Sequence, residues 1–193
     1  AGWRVHATVR SPAMPGELAE LTGDLIIHEL DVRNVGQTDR LAATLAGAEL
    51  DVVIHNAGIY QGHTRTELME VNAKAPIRVV EALLDARALR RDGIVAIMTS
   101  QMGARRGSNR SLGGYGDSKA ALNDSFRERA AGWRDRGALA VVIHPGWVRT
   151  DMGGAGASIS VPESVTGIRR LLDGLTPDQH GRFWTWEGRE HPW

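Results

Sequence analysis

The chain has 193 residues, with 23 basic and 23 acidic side chains that cancel at neutral pH, and it contains no cysteine. The balance of charge gives no global attraction to nucleic acid or to an anionic membrane. The missing cysteines exclude disulfides, thiolate metal sites and cysteine nucleophiles. No apolar run approaches the roughly 18 residues of a membrane span, so a soluble cytoplasmic protein is expected, with residues 1–193 forming one domain.

In chain order, strands are predicted at Trp3–Val9, Leu25–His28, Asp51–His55, Ile94–Thr99 and Ala138–His144, with a weaker one at Arg182–Trp186. Helices are predicted between them, around Glu17–Leu21, Thr38–Ala46, Ala73–Leu89, Gly116–Arg136 and Glu163–Leu172. Strands alternating with helices argue for right-handed βαβ units and a parallel sheet covered on both faces, an α/β fold. The runs "DVVIH", "GIVAIM" and "ALAVVIH" are apolar without alternation, as strands buried on two sides should be.

In an open parallel sheet, ligands bind beyond the carboxyl ends of the strands. Those ends here read "HNAG" (His55–Gly58), "TS" (Thr99–Ser100) and "HPG" (His144–Gly146). Any one is ordinary loop punctuation; three together point to a ligand crevice. In "YGDSK", Tyr115 and Lys119 are four apart and stack on one helix face, which continues through Leu122 and Phe126 as core positions. A lone pair of this kind is commonly a lysine stem lying along the surface. An ammonium near a phenol, however, favours phenolate and lowers its pKa by about 1–3 units, which makes the phenol a usable proton donor or acceptor.

The motifs "NAG" (Asn56–Gly58), "VNAKAP" with Asn72, "TSQMGA" with Ser100, "YGDSK" and "PGWVRTDM" resemble, in order and placement, those of the short-chain dehydrogenases/reductases. The closing "GLTPDQHGRFWTWEGREHPW" is similar to the C-factor-like carbonyl reductase branch. The resemblance implies a Rossmann-like doubly wound parallel sheet with helices on both faces. It also implies an NAD(P)(H)-dependent oxidoreductase that interconverts a carbonyl and an alcohol. By this resemblance Tyr115 is the general acid or base, Lys119 lowers its pKa and binds the nicotinamide ribose, Ser100 holds the substrate oxygen, and Asn72 carries a water-linked proton relay. Asn56, Ala57 and Gly58 lie against the adenosine side of the cofactor, Asp31 and Val32 bind adenine, and Pro145, Gly146, Val148 and Thr150 frame the nicotinamide. Arg10, at the end of the first strand with no acid beside it, favours NADP(H) over NAD(H). The expected partner is a small carbonyl or alcohol substrate, with a homodimer or homotetramer as the assembly.

Two departures from the family pattern stand out. The Gly-rich first βα unit, roughly 25 residues by average element lengths, is expected before "GWRVHATVR" and does not precede it. Loss of a central strand leaves two rows of backbone groups unpaired, so a fragment of a longer product is expected on physical grounds. The alternative is a remodelled sheet in which the flanking strands pair, or a strand is borrowed from another subunit. "MGGAGAS" (Met152–Ser158) follows the wrong strand to replace the missing turn and is expected to be a flexible substrate-side loop. The second departure is the short stretch from Gly58 to Asn72, which predicts a late start for the helix carrying Asn72.

Other functions fit less well. No G-x-S-x-G elbow or H-x-x-x-H pair occurs, and no metal site is expected. The basic stretch "GARRGSNR" (Arg105, Arg106, Arg110) lacks interleaved aromatics and reads as a solvated loop. The remaining alternative is a scaffold of the same fold that acts as a non-catalytic binding or signalling module.

Overall fold

The longest unbroken apolar strand, Ala138–His144, is the structural centre of the protein in a computed structural model that describes residues 2–105 and 114–193. Its alternate residues feed two different cores. Ala138, Ala140 and Val142 pack with Leu122, Phe126, Ala130 and Trp133 on one face. Val141 and Ile143 pack with Ile168, Leu171 and Leu172 on the other. Both faces are covered, which is why the strand shows no alternation in its sequence.

The strands are β1 (Arg4–Val9), β2 (Asp24–Glu29), β3 (Leu50–His55), β4 (Leu89–Met98), β5 (Ala138–His144) and β6 (Phe183–Thr185). The helices are α1 (Val35–Thr44), α2 (Arg65–Met69), α3 (Ala75–Asp85), α4 (Gly114–Asp135) and α5 (Val161–Asp173). All ladders are parallel, and the fold is Rossmann-like. A third core joins α1 to α3 through Leu41, Ala42 and Leu45 against Val79 and Leu83. No helix among the described residues is long and apolar enough to cross a membrane.

The ladder is divided into two hydrogen-bonded sheets, one with order β1-β2 and one with order β3-β4-β5-β6. The pairing of β1 with β3 that would rejoin them is not formed among the described residues. Val5 of β1 and Ile54 of β3 are 47% and 52% exposed, unlike the residues of β5.

Three local expectations change. Residues 16–20 form a short 3₁₀ helix, Gly16–Glu20, with no buried residue to anchor a longer one. The predicted helix Ala73–Leu89 stops earlier, at Asp85, because Arg87 turns to φ 52° and β4 begins at Leu89. The helix carrying Asn72 does not start late. Thr64 caps it in a capping box with Glu67, and α2 runs through a wide π turn, Glu70–Lys74, directly into α3.

Helix α4 reaches the sheet end at a place where only glycine fits. A Cβ at Gly103 would lie 2.6 Å from the backbone carbon of Lys119 and 2.8 Å from the nitrogen of Ala120. Gly103→Ala is expected to destabilise the protein by about 1–3 kcal/mol, the usual cost of overpacking against backbone, read as a lower urea midpoint at unchanged slope.

Candidate functional site

Asn72 lies in the wide turn between α2 and α3 and is completely buried. Its amide faces the chain just beyond β3: Oδ1 accepts from the Ile59 N–H at 2.9 Å, and Nδ2 donates to the Ile59 carbonyl at 2.9 Å. The same Nδ2 donates to Ser118 Oγ at 3.1 Å, and that hydroxyl donates to the Tyr115 carbonyl at 2.7 Å. The wide turn thus fastens the end of β3 to the first turn of α4. Turns of this kind are frequent at functional sites.

Lys119 is 4% exposed, and its ammonium donates to the Met98 carbonyl at 2.9 Å, at the very end of β4. Burial lowers its pKa to about 8. Ser100, two residues beyond β4's last residue, is buried; its Oγ accepts from the Met102 N–H at 3.2 Å, and it lies close enough to Tyr115 to act on the phenol. The Tyr115 ring packs edge-on against Tyr60 with centroids 4.7 Å apart.

The expected depression of the Tyr115 pKa by Lys119 does not dominate here. Burial of the ring raises the phenol above its ordinary range, and the neighbouring Ser100 hydroxyl opposes that rise. The Lys119 Nζ is 5.9 Å from the ring centroid and is turned toward Met98. The phenol is therefore held in its protonated form at neutral pH.

Asn56 and Ala57 are exposed where β3 ends, and Gly58 is half-buried beside them. A Cβ at Gly58 would lie 3.3 Å from Asn72 Oδ1 and 3.8 Å from Lys119 Nζ, so the bare backbone brings the loop right up to both side chains. Asp31 and Val32 follow β2, and Arg10 follows β1 close enough to bias the Asp31 carboxylate. Arg33 grips that carboxylate at 2.6 Å, which together with Arg10 holds Asp31 below its usual carboxylate range. Pro145, Gly146, Val148 and Thr150 follow β5. The Pro145 carbonyl accepts from Ser164 Oγ at 2.6 Å, and Gly146 has φ 88°, a conformation in which a side chain would also strike Ile159 and Trp186.

All the residues singled out in the sequence therefore sit at or just beyond the strand ends, or on the helices facing them. They fit a dinucleotide in two respects: the row of strand ends is open at Asn56, Ala57 and Thr150, and glycine at Gly58 and Gly146 lets the loops pack tightly against the site's own side chains, leaving those ends clear. A Gly-rich turn ahead of β1 is not among the described residues.

The loop containing Met152–Ser158 departs from the flexible loop expected. The Trp147 indole donates to Gly153 O at 2.9 Å, Arg149 Nη1 donates to Ala157 O at 3.0 Å, and backbone bonds join 147 and 149 to 159. Of the basic stretch, Arg105 pairs with Asp124, while Arg106 and Arg110 lie outside the described residues.

Sequence reasoning missed two participants. Ser118 was signalled by its place inside "YGDSK", three residues after Tyr115, the spacing at which a serine hydroxyl bonds back to the helix. Tyr60 was signalled only by proximity to "NAG". His55, read in the sequence as the strand end in "HNAG", is buried at the end of β3 with Nε2 unpartnered.

A family model described as enoyl-(acyl carrier protein) reductase matches residues 1–164. C-signal of Myxococcus xanthus is 40% identical over 168 residues, covering 79% of this chain and 98% of C-signal. The NADPH-bound carbonyl reductase from chicken fatty liver superposes with a TM-score of 0.83 at 29% identity, covering 97% of this chain and 87% of that one. A carbonyl reductase from Pseudomonas aeruginosa PAO1 in complex with NADP gives a TM-score of 0.78 at 33% identity, covering 100% of this chain and 89% of that one.

The histidines at the ends of β3 and β5, His55 buried and His144 half-buried, set an acid limit on stability. Burial lowers His55 and His144 to about 4, helped by Lys119 and His191 respectively. In the unfolded chain both titrate near the ordinary histidine value, so as pH falls the unfolded state takes up protons first. Their contribution is complete above about pH 6.5 and is lost as pH falls toward 4, at up to about 1.4 kcal/mol per pH unit for each ring. Urea unfolding across pH 4–8 should show this slope, and His144→Asn should make it shallower.

Proposed function

The chain belongs to the short-chain dehydrogenase/reductase family, and from that premise we propose that it is an NADP(H)-preferring oxidoreductase that interconverts a small carbonyl compound and its alcohol. The observation that carries this reading is the convergence of Ser100, close enough to act on the Tyr115 phenol, with a half-buried, protonated Tyr115 one helical turn from the buried ammonium of Lys119.

Bound NADPH supplies a hydride to the carbonyl carbon. The protein does the rest. Ser100 Oγ holds the carbonyl oxygen, and Tyr115 Oη gives that oxygen a proton as negative charge develops on it, so the product is a neutral alcohol. The raised phenol pKa suits an acid that must reach the transition state still carrying its proton. Lys119 keeps a positive charge one helical turn from the phenolate left behind, 5.9 Å from the ring centroid, and Asn72 fixes the Ile59 backbone on the other side of the site. Asp31 and Val32 take the adenine, Asn56, Ala57 and Gly58 the adenosine side, and Pro145, Gly146, Val148 and Thr150 the nicotinamide. Arg10 and the neighbouring Arg33 put two guanidinium groups at the adenine end, where a 2′-phosphate offers the charge that distinguishes NADP from NAD. The NADP- and NADPH-bound relatives support that preference.

A second reading rests on the name C-signal carried by the relative from Myxococcus xanthus. On that reading the fold is a binding or signalling module, and turnover is absent.

Titration with NADPH, followed through tryptophan fluorescence, separates the two; saturable binding with turnover of a carbonyl substrate supports the oxidoreductase. Tyr115→Phe is expected to lower kcat/KM for reduction by about 10²–10⁴-fold, the usual worth of a positioned general acid, while NADPH still binds. Unchanged turnover in that variant would remove Tyr115 from its role. The reductive kcat/KM should also decline above about pH 8, where Lys119 loses its proton. Arg10→Ala should cut the preference for NADPH over NADH by about ten-fold, the value of one charge-assisted hydrogen bond to phosphate. Equal losses with both cofactors would count against a 2′-phosphate contact.

A further inference from the structure

Arg78 stands on α3, away from the Ser100–Tyr115–Lys119 cluster, and three-quarters of its side chain is buried. Its guanidinium reaches in two directions. Nη1 donates to Glu70 Oε1 at 2.9 Å, in the same wide turn that carries Asn72. Nη2 donates to the carbonyl of Val32 at 2.6 Å, in the loop that follows β2. The remaining nitrogen, Nε, is buried without a partner.

A simple ion pair does not explain this placement. Glu70 already has Lys74 at 3.7 Å, one helical turn away, so its charge is answered without Arg78. Desolvating a guanidinium is costly, and leaving Nε unsatisfied adds to the cost. What Arg78 adds is the second bond. The other polar contacts of the loop run to β1, to α1 or within the loop itself: Leu30 N–H donates to Val9 O, Asp31 N–H to Gln37 Oε1, and Asn34 N–H to Asp31 O. Among the described residues, the bond from Arg78 to Val32 is the hydrogen bond that ties this loop to the helix carrying Asn72. A planar fork reaches two separated acceptors along fixed, divergent directions; a lysine has three donors, but all on one compact nitrogen.

We propose that Arg78 is a positioning residue for the adenine end of the cofactor groove. It fixes the Val32 peptide, and with it the wall against which an adenine ring is read, to the turn that presents Asn72. The inference rests on the proposed binding of adenine at Asp31–Val32. It predicts that a change on α3, far from the reacting atoms, weakens recognition of one half of the dinucleotide and spares the other.

The test uses Arg78→Lys and Arg78→Met, with two probes: NADPH, and reduced nicotinamide mononucleotide, which lacks the adenosine half. Both variants should raise the NADPH Kd about ten-fold, the loss of one charged hydrogen bond, and leave the mononucleotide Kd unchanged. Failure of the lysine variant to rescue marks the fork, and not the charge, as what matters. Amide exchange in the cofactor-free variants should speed up at residues 31–34. Wild-type NADPH affinity in Arg78→Lys, or equal weakening of both probes, overturns the proposal. If the unaltered chain binds neither probe, the nicotinamide reading and the affinity claim fall together. Exchange in the free chain then reads the hold on Val32 by itself, and unchanged exchange there overturns that too.

Discussion

The ammonium of Lys119, held in the interior by one backbone carbonyl at the end of β4, is the constraint around which this protein is arranged. A buried charge is tolerated only where its donors find fixed acceptors. For Nζ to reach Met98 O, α4 must approach the strand end so closely that Gly103 cannot carry a side chain. That approach also sets Tyr115 one turn along the same helix, next to Ser100. The lowered lysine pKa measures the expense: at neutral pH the folded protein keeps a proton that burial disfavours, so this residue subtracts from stability while it serves the site.

The polar groups around the ammonium repeat the same economy of direction. Asn72 uses both ends of its amide on Ile59, so its orientation is fixed on both sides of the plane. Thr99 Oγ1 donates to Asn123 Oδ1 at 2.7 Å, and Asn123 Nδ2 donates to the Gly103 carbonyl at 3.3 Å. Each buried side chain fixes a backbone segment of a different element, which is how loops at the strand ends acquire rigid positions from the helices beneath.

Much of this was legible in the sequence because its cause is local. Apolar runs without alternation declared buried parallel strands, and β5 was located to the residue. The Tyr115–Lys119–Leu122–Phe126 stripe declared a helix face, and Leu122 and Phe126 are fully buried. What was not legible arises from distance in the chain. The wide turn that carries Asn72 is held by that residue's contacts with Ile59 and Ser118, distant in the chain. The capping box before it is local, a threonine, Thr64, three residues before Glu67, and could have been read. The dominance of burial over the Lys119 charge at Tyr115 depends on Tyr60 and on where Nζ points, neither of which spacing alone can state. The division of the ladder between β1 and β3 was anticipated as a strain on the fold, yet the strands did not close up to relieve it.

The wide turn at Glu70–Lys74 also fixes the helical phase of everything after it. An α-helix advances about 100° per residue, and a π turn holds one residue more than the regular spiral. Restoring regular winding by deleting a residue there would swing Ile77, Val80 and Leu84 by about a quarter of a revolution, away from the core they now share with Val95 and Ile97. The site's asparagine and the packing of α3 are therefore locked to a single residue count. This stretch can exchange side chains, but it cannot change length.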